Sequence, residues 1–255
     1  MKGLLATRLA QGSRTMAYPE GPPPVLPRHF RGRPVLAPGT CQTDCQRCVA
    51  ACPTNAVVAQ PASAQVELDL GRCLFCADCA RACPTSRISF GTDHRLAARG
   101  RDELRLRPGG QDVLPLIDRQ AQRLFGRSLK LRQVSAGGCN ACEADANVLN
   151  TPAWDLGRFG VQFVASPRHA DGLLVTGPVS RHMASALRQT YAAMAEPKVV
   201  IAVGACAISG GLFADHAETC AGATSLVPVD LYVPGCPPHP LTLLDALLRF
   251  LGRAR

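Results

Sequence analysis

Residues 41–84 hold eight of the chain's thirteen cysteines, in two runs that nearly repeat each other. The first places Cys41, Cys45, Cys48 and Cys52 before Pro53, and the second places Cys73, Cys76, Cys79 and Cys83 before Pro84. A shift of 31 residues carries Cys45, Cys48, Cys52, Pro53 and Thr54 onto Cys76, Cys79, Cys83, Pro84 and Thr85, which marks an internal duplication. The second run reads C-x2-C-x2-C-x3-C-P, the spacing that wraps three thiolates around one iron-sulfur cube and sends the fourth to a neighbouring cube. Crossed ligation follows as the expectation. One 4Fe-4S cluster takes Cys41, Cys45, Cys48 and Cys83, and the other takes Cys73, Cys76, Cys79 and Cys52. The competing reading is structural zinc, which needs only cysteine pairs and gives Pro53 and Pro84 no task. Three residues separate Cys41 from Cys45 where two are expected, so a bulge is predicted there and Cys41 conforms least to the pattern.

Thirteen cysteines in a secreted chain would suggest disulfides. The apolar opening at residues 3–10 is short and broken by Arg8, so no signal peptide is read and reduced thiolates in the cytoplasm are expected. No run approaches the eighteen or so apolar residues of a membrane span, which leaves peripheral attachment. The formal charge of +9 raises nucleic acid as a partner, but three clusters at roughly −2 to −3 each would offset most of it. Aromatic content of 5% supplies no stacking series, and no nucleic-acid partner is expected. The remaining excess is local, since residues 95–132 carry ten Lys and Arg against four Asp and Glu. A solvated linker face and a docking surface for an acidic partner both fit that run.

In chain order, residues 1–11 read as a short amphipathic helix or a frayed terminus, with Leu4, Leu5 and Leu9 on a face. Seven prolines between Tyr18 and Pro38 predict an extended arm over a surface. In the cysteine region, 57–58 and 65–68 read as a hairpin, with 88–90 as its counterpart. Pro108-Gly109-Gly110 marks a boundary, after which strands and helices alternate. Helices are predicted at 112–125, 181–194 and 239–251. Strands are predicted at 129–134, 161–165, 172–176, 198–203 and 231–233. This alternation implies parallel βαβ units in a three-layer α/β sandwich.

In such a sheet, ligands gather beyond the carboxyl ends of the strands. Cys139 and Cys142 follow the strand at 129–134, Cys206 the strand at 198–203, and Cys236 the strand at 231–233, each in a turn of small residues. Buried free thiols would explain any one of them; four at equivalent strand ends predict a third 4Fe-4S cluster. Cys220 is left over as a free thiol. His169 and His182 have no ligand-type spacing and read as structural.

The segments Gly137-Gly-Cys-Asn-Ala-Cys-Glu143, Phe159 to Asp171, Val175-Thr-Gly-Pro-Val179 and Val233-Pro-Gly-Cys-Pro-Pro238 resemble the small subunit of group 4 membrane-bound NiFe hydrogenases, including formate hydrogenlyase. More distantly they resemble the 20 kDa subunit of respiratory complex I. Phe30-Arg-Gly-Arg-Pro34 and Asp69-Leu-Gly-Arg-Cys-Leu-Phe-Cys76 are similar to the separate ferredoxin-type subunit of formate hydrogenlyase, so nearly the whole chain resembles a fusion of two subunits. Ala141 stands where that hydrogenase-like family usually has glycine.

The resemblance implies an α+β chain in two domains: an arm at 1–38, a ferredoxin-like 2x(4Fe-4S) domain at 39–92, a basic linker at 93–111, and a flavodoxin-like parallel α/β domain at 112–255. It further implies that Cys139, Cys142, Cys206 and Cys236 hold the cluster nearest an active site located in a separate large subunit. The expected role is electron transfer in an oxidoreductase complex at the cytoplasmic membrane face. Its partners would be a hydrogenase-like large subunit, membrane subunits, and a soluble donor such as a formate dehydrogenase component. A complex I-like, quinone-reducing assembly is the alternative; Cys139-x2-Cys142 in place of a tandem Cys-Cys pair favours the hydrogenase branch. Glu143 beside the second ligand reads either as a proton-coupling group or as an ordinary exposed or helix-terminal carboxylate.

Overall fold

The computed structural model describes residues 3–42, 45–60, 64–110, 116 and 118–254. The bulge expected between Cys41 and Cys45 involves residues 43 and 44, which lie outside the described residues, as do the opening residues 1 and 2.

Strands β1 (Pro34–Leu36), β2 (Val57–Gln60), β3 (Gln65–Asp69), β4 (Ile88–Phe90) and β5 (Arg105–Leu106) build the first half, with the short helices α2 (Arg47–Ala50) and α3 (Asp78–Ala82) directly inside the two cysteine runs. Helix α1 (Leu4–Gln11) precedes them and keeps its leucines in solvent. The β2–β3 hairpin forms as read, but β4 is not its counterpart. β4 pairs antiparallel with β1, Ile88 opposite Leu36, while β3 pairs with β5. Pro34 can open β1 because a strand's first position tolerates a residue without an amide proton.

The proline-rich arm is therefore more than a strap. Tyr18 is driven into the core and Met16 donates its amide to the carbonyl of Ala153. The segment at 93–111, expected as a linker, is also built into the fold. Leu96, Ala97, Ala98, Leu104 and Leu106 are buried, and Ala98 bridges Tyr232 antiparallel at the edge of the large sheet. Its arginines mostly meet carboxylates within the chain: Arg101 with Asp69, Arg107 with Glu67, Arg95 with Asp93, and Arg99 with Asp118. Much of the local positive charge is thus matched internally, which leaves less of it for an acidic partner.

The second half alternates α4 (Arg119–Phe125), β6 (Leu129–Ser135), α5 (Ala141–Val148), β7 (Val161–Phe163), β8 (Gly172–Thr176), α6 (Arg181–Ala192), β9 (Val199–Val203), α7 (Ala205–Ser209), β10 (Leu231–Val233) and α8 (Pro240–Phe250). The sheet is parallel throughout, in the order β10-β9-β8-β6-β7. Helix α4 starts at Arg119 because the Asp118 carboxylate caps the amides of Gln120 and Ala121. Of the longer helix read there, residues 112–115 and 117 lie outside the described residues. Strands β8 and β9 are buried at every position, as central parallel strands require. All eleven residues of α8 are buried as well, so this helix is interior on every face.

Candidate metal centres

The duplicated runs repeat in three dimensions, down to single hydrogen bonds. The amide of Ala56 donates to Cys52 Sγ at 3.1 Å, and that of Arg87, 31 residues on, to Cys83 Sγ at 3.3 Å. The Thr54 and Thr85 hydroxyls stand 3.8 and 3.7 Å from the same sulfurs. Asn55 and Ser86 both turn the chain through left-handed φ, at 52° and 51°. Burial works to raise Cys83, yet the amide and hydroxyl donors around it outweigh burial and leave its thiol below the ordinary value. Donors aimed at sulfur favour thiolate over thiol, as cluster ligation requires.

The thiols also collect in groups. Cys48 is raised by burial and then by the neighbouring Cys83 and Cys41. Cys73 is pushed up to about 12 by burial, with Cys79, Cys52 and Cys76 adding to the rise. Cys52, Cys73, Cys76 and Cys79 line one enclosed apolar cavity with Pro53, Leu68 and Phe90. Cys45 lies in the loop just before α2. Cys83 thus neighbours Cys48 of the first run, and Cys52 lines a cavity with three cysteines of the second.

Four cysteines converge similarly at the carboxyl end of the sheet. Cys142 sits in the first turn of α5, Cys206 in the first turn of α7, and Cys139 and Cys236 in the exposed turns after β6 and β10. Burial pushes Cys142 up to about 12, helped by Glu143, Cys206, Cys236 and Cys139. Cys206 rises to about 11 by burial and by Cys236 and Cys139. Gly204 is required here, because at φ +90° its hydrogen faces Cys142 Sγ, and a Cβ would approach that sulfur to 2.6 Å. Buried thiols with raised pKa values stay protonated by themselves, whereas an iron-sulfur core binds them as thiolates. The residues present therefore suit 4Fe-4S groups at all three places.

Glu143 is buried, so it is not the exposed carboxylate that one reading allowed. Its Oε1 accepts 2.6 Å hydrogen bonds from Ser135 and Thr176. Burial would raise its pKa, but these hydroxyls and its own amide bring it below the usual carboxylate range. Ser135 and Thr176 are register partners at the ends of β6 and β8. Each hydroxyl closes its strand, Ser135 in β6 and Thr176 in β8. Cys220 joins no quartet and packs against the core beneath α6, while His169 and His182 are exposed. Leu212 and Phe213 stand exposed just beyond Cys206. Cys76 and Cys236 line a shared cleft, so the second and third quartets face each other.

Among known proteins, residues 40–87 match the 4Fe-4S dicluster domain family, and residues 139–250 match the family described as NADH ubiquinone oxidoreductase, 20 Kd subunit. The chain is 42% identical over 134 residues to the probable membrane-bound hydrogenase subunit mbhJ of Pyrococcus furiosus, covering 52% of this chain and 80% of that protein. It is 42% identical over 149 residues to an NADH-quinone oxidoreductase subunit of Desulfovibrio desulfuricans, covering 58% and 79%. It is 44% identical over 126 residues to formate hydrogenlyase subunit 7 of Escherichia coli, spanning about half of each chain at 49%. With a dicluster domain in front and relatives covered over most of their length, the chain belongs to the NADH ubiquinone oxidoreductase 20 kDa subunit family and is an iron-sulfur electron-transfer protein.

Proposed function

We propose that the chain holds three 4Fe-4S clusters and serves as the electron-transfer subunit of a membrane-associated complex of the formate hydrogenlyase, or group 4 NiFe hydrogenase, type. Cys41, Cys45, Cys48 and Cys83 hold the first cluster, Cys73, Cys76, Cys79 and Cys52 the second, and Cys139, Cys142, Cys206 and Cys236 the third. When bound, such clusters supply one-electron relay at potentials set by charge, hydrogen bonding and solvent access.

The observation that carries this reading is the chain of quartets. The duplicated runs interlock, the second quartet faces the third across the cleft between Cys76 and Cys236, and the third lies at an open sheet edge beside exposed Leu212 and Phe213. Those apolar side chains and the small-residue turns suit contact with a large catalytic partner more than contact with water. Glu143, fixed by two hydroxyls beside Cys142, is the proposed proton-coupling residue. Attachment is peripheral, at the cytoplasmic face of the membrane; among the described residues no helix is long and apolar enough to cross. The domains follow the same plan, with 1–38 and 93–111 serving as structural joints around the dicluster unit at 39–92 and the sheet domain at 112–255.

A second reading, a complex I-like quinone-reducing assembly, is favoured by the Desulfovibrio desulfuricans relative, whose name assigns it to an NADH-quinone oxidoreductase. Purification of the tagged chain from its native host without oxygen separates the two. Copurification with a large subunit and hydrogen-dependent dye reduction supports the first, and activity requiring quinone supports the second. A chain that copurifies with no large subunit would defeat both.

A further inference from the structure

The motif Phe30-Arg31-Gly32-Arg33-Pro34 has no place in the proposed cluster ligation, yet Phe30 and Arg31 line the cleft that Cys76 and Cys236 share. Gly32 and Arg33 pin it to the chain after β4, through amide bonds of 2.8 Å to the carbonyls of Gly91 and Asp93. A Cβ on Gly32 would fall on the Asp93 backbone, so the approach is as close as glycine permits. Phe30 stands edge-on to His239, with ring centroids 5.3 Å apart, and His239 caps α8 by accepting from the Leu241 amide at 3.1 Å. One residue on, Arg31 Nη1 donates to the Phe75 carbonyl at 3.1 Å.

That carbonyl is unusual. Phe75 is held at φ +55°, between Cys73 and Cys76, and its amide donates to Cys73 Sγ at 3.3 Å. A phenylalanine in this region carries strain, which a fixed partner on the turned-out carbonyl helps to hold. Arg31 also lines the cleft of about 280 Å³ that contains Cys76 on one wall and Cys236 on the other. Asp145 lines the same cleft, but among the described residues Arg31 makes no salt bridge. A guanidinium stays charged at any working pH, so the wall beside Cys76 carries a positive charge.

We infer that Arg31 is a positioning and tuning residue for the second cluster: it fixes the Cys73–Cys76 turn through the Phe75 carbonyl, and its charge favours the reduced, more negative form. This rests on the proposed ligation by Cys73, Cys76, Cys79 and Cys52. The effect belongs to charge as well as to the hydrogen bond, which two variants separate. Arg31→Gln keeps a donor without charge, and Arg31→Lys keeps charge in a different shape.

The test is a potentiometric titration of the anaerobically purified chain, followed by electron paramagnetic resonance, with iron content measured on each sample. The second-cluster signal is identified by its loss in Cys79→Ser. Arg31→Gln should lower that cluster's midpoint potential by about 59 mV, a tenfold change in its reduced-to-oxidised ratio at fixed potential. Arg31→Lys should restore most of the wild-type value, and the first cluster, whose cysteines do not line the cleft, should not move. A full iron complement with an unchanged midpoint in Arg31→Gln would overturn the inference, as would equal shifts in the two variants. Absence of the signal from the wild-type chain would instead remove the cluster assignment itself, and the inference with it.

Discussion

The duplicated cysteine runs and the sheet-edge cysteines build similar quartets by opposite means. In the first half the candidate ligands lie close together in sequence, and buried Cys48, Cys73 and Cys79 are themselves members of a core that borrows Ala202, Ala207, Ile208 and Tyr232 from the second half. In the second half the ligands come from three separate strand ends and from positions 139 to 236, while the core beneath them is built of β8, β9 and the wholly buried α8. A short motif can define a metal site only where the chain is short between ligands. Over longer spans the topology must define it. The first site is therefore expected to need its metal in order to fold, and the second to be folded before its metal arrives.

Removing the clusters should separate the halves most. Folding free energy drawn from metal is on the order of 10 kcal/mol in small metal-built domains. Amide exchange in the cluster-free chain should rise sharply across 45–60 and 64–90, while β8, β9 and α8 keep their protection. Equal loss in both halves would mean that the sheet domain also needs its cluster in order to fold.

Next comes a cavity in the second core. Leu244, fully buried in α8, should cost about 2–5 kcal/mol when cut to alanine. Denaturant unfolding should register that loss while the visible absorption of the first two clusters in the folded protein is unchanged.

Gly204→Ala acts more locally. Forcing alanine to φ +90° and ψ 155° costs about 1–3 kcal/mol in backbone strain and pushes a methyl onto Cys142 Sγ. Iron analysis should show loss from the third site with the duplicated runs still loaded. An equivalent loss from all sites would mean that the halves assemble their metal together.

The smallest effect lies at the seam, where Tyr18 of the arm donates to Asp245 of α8 at 2.8 Å and stands 3.4 Å from His94. Burial lowers the His94 pKa below its ordinary value. As pH falls below about 6.5, the unfolded chain takes up a proton that folded His94 resists, so its contribution to stability is present above that pH and is lost on acidification. His94→Gln should flatten the slope of stability between about pH 7 and its folded pKa. An unaltered slope, read from denaturant midpoints, would remove His94 from the seam's pH response.

Much of this architecture was legible. The strands at 172–176 and 231–233 were visible because buried parallel strands are apolar runs bounded by turn residues. The pairing of Ile88–Phe90 with Pro34–Leu36 was not visible, since a proline-rich segment carries no strand periodicity and its partner is set by the Gly32 and Arg33 contacts. The arginine-rich stretch read as a solvated linker or a docking surface because its charges dominate the pattern, and the buried Leu96, Leu104 and Leu106 are spaced too irregularly to announce a strand or helix. Glu143 could not be placed either, as its two hydroxyl partners are 8 residues before it and 33 after it.

The proposed ligation spends all twelve cysteines other than Cys220 on three clusters. Iron, acid-labile sulfide and zinc should be counted per chain in protein purified without oxygen, in the wild type and in Cys206→Ser. The wild type should hold about twelve iron and twelve sulfide with no zinc, falling to about eight of each in the variant. About eight in both proteins, or stoichiometric zinc in place of iron, would contradict it.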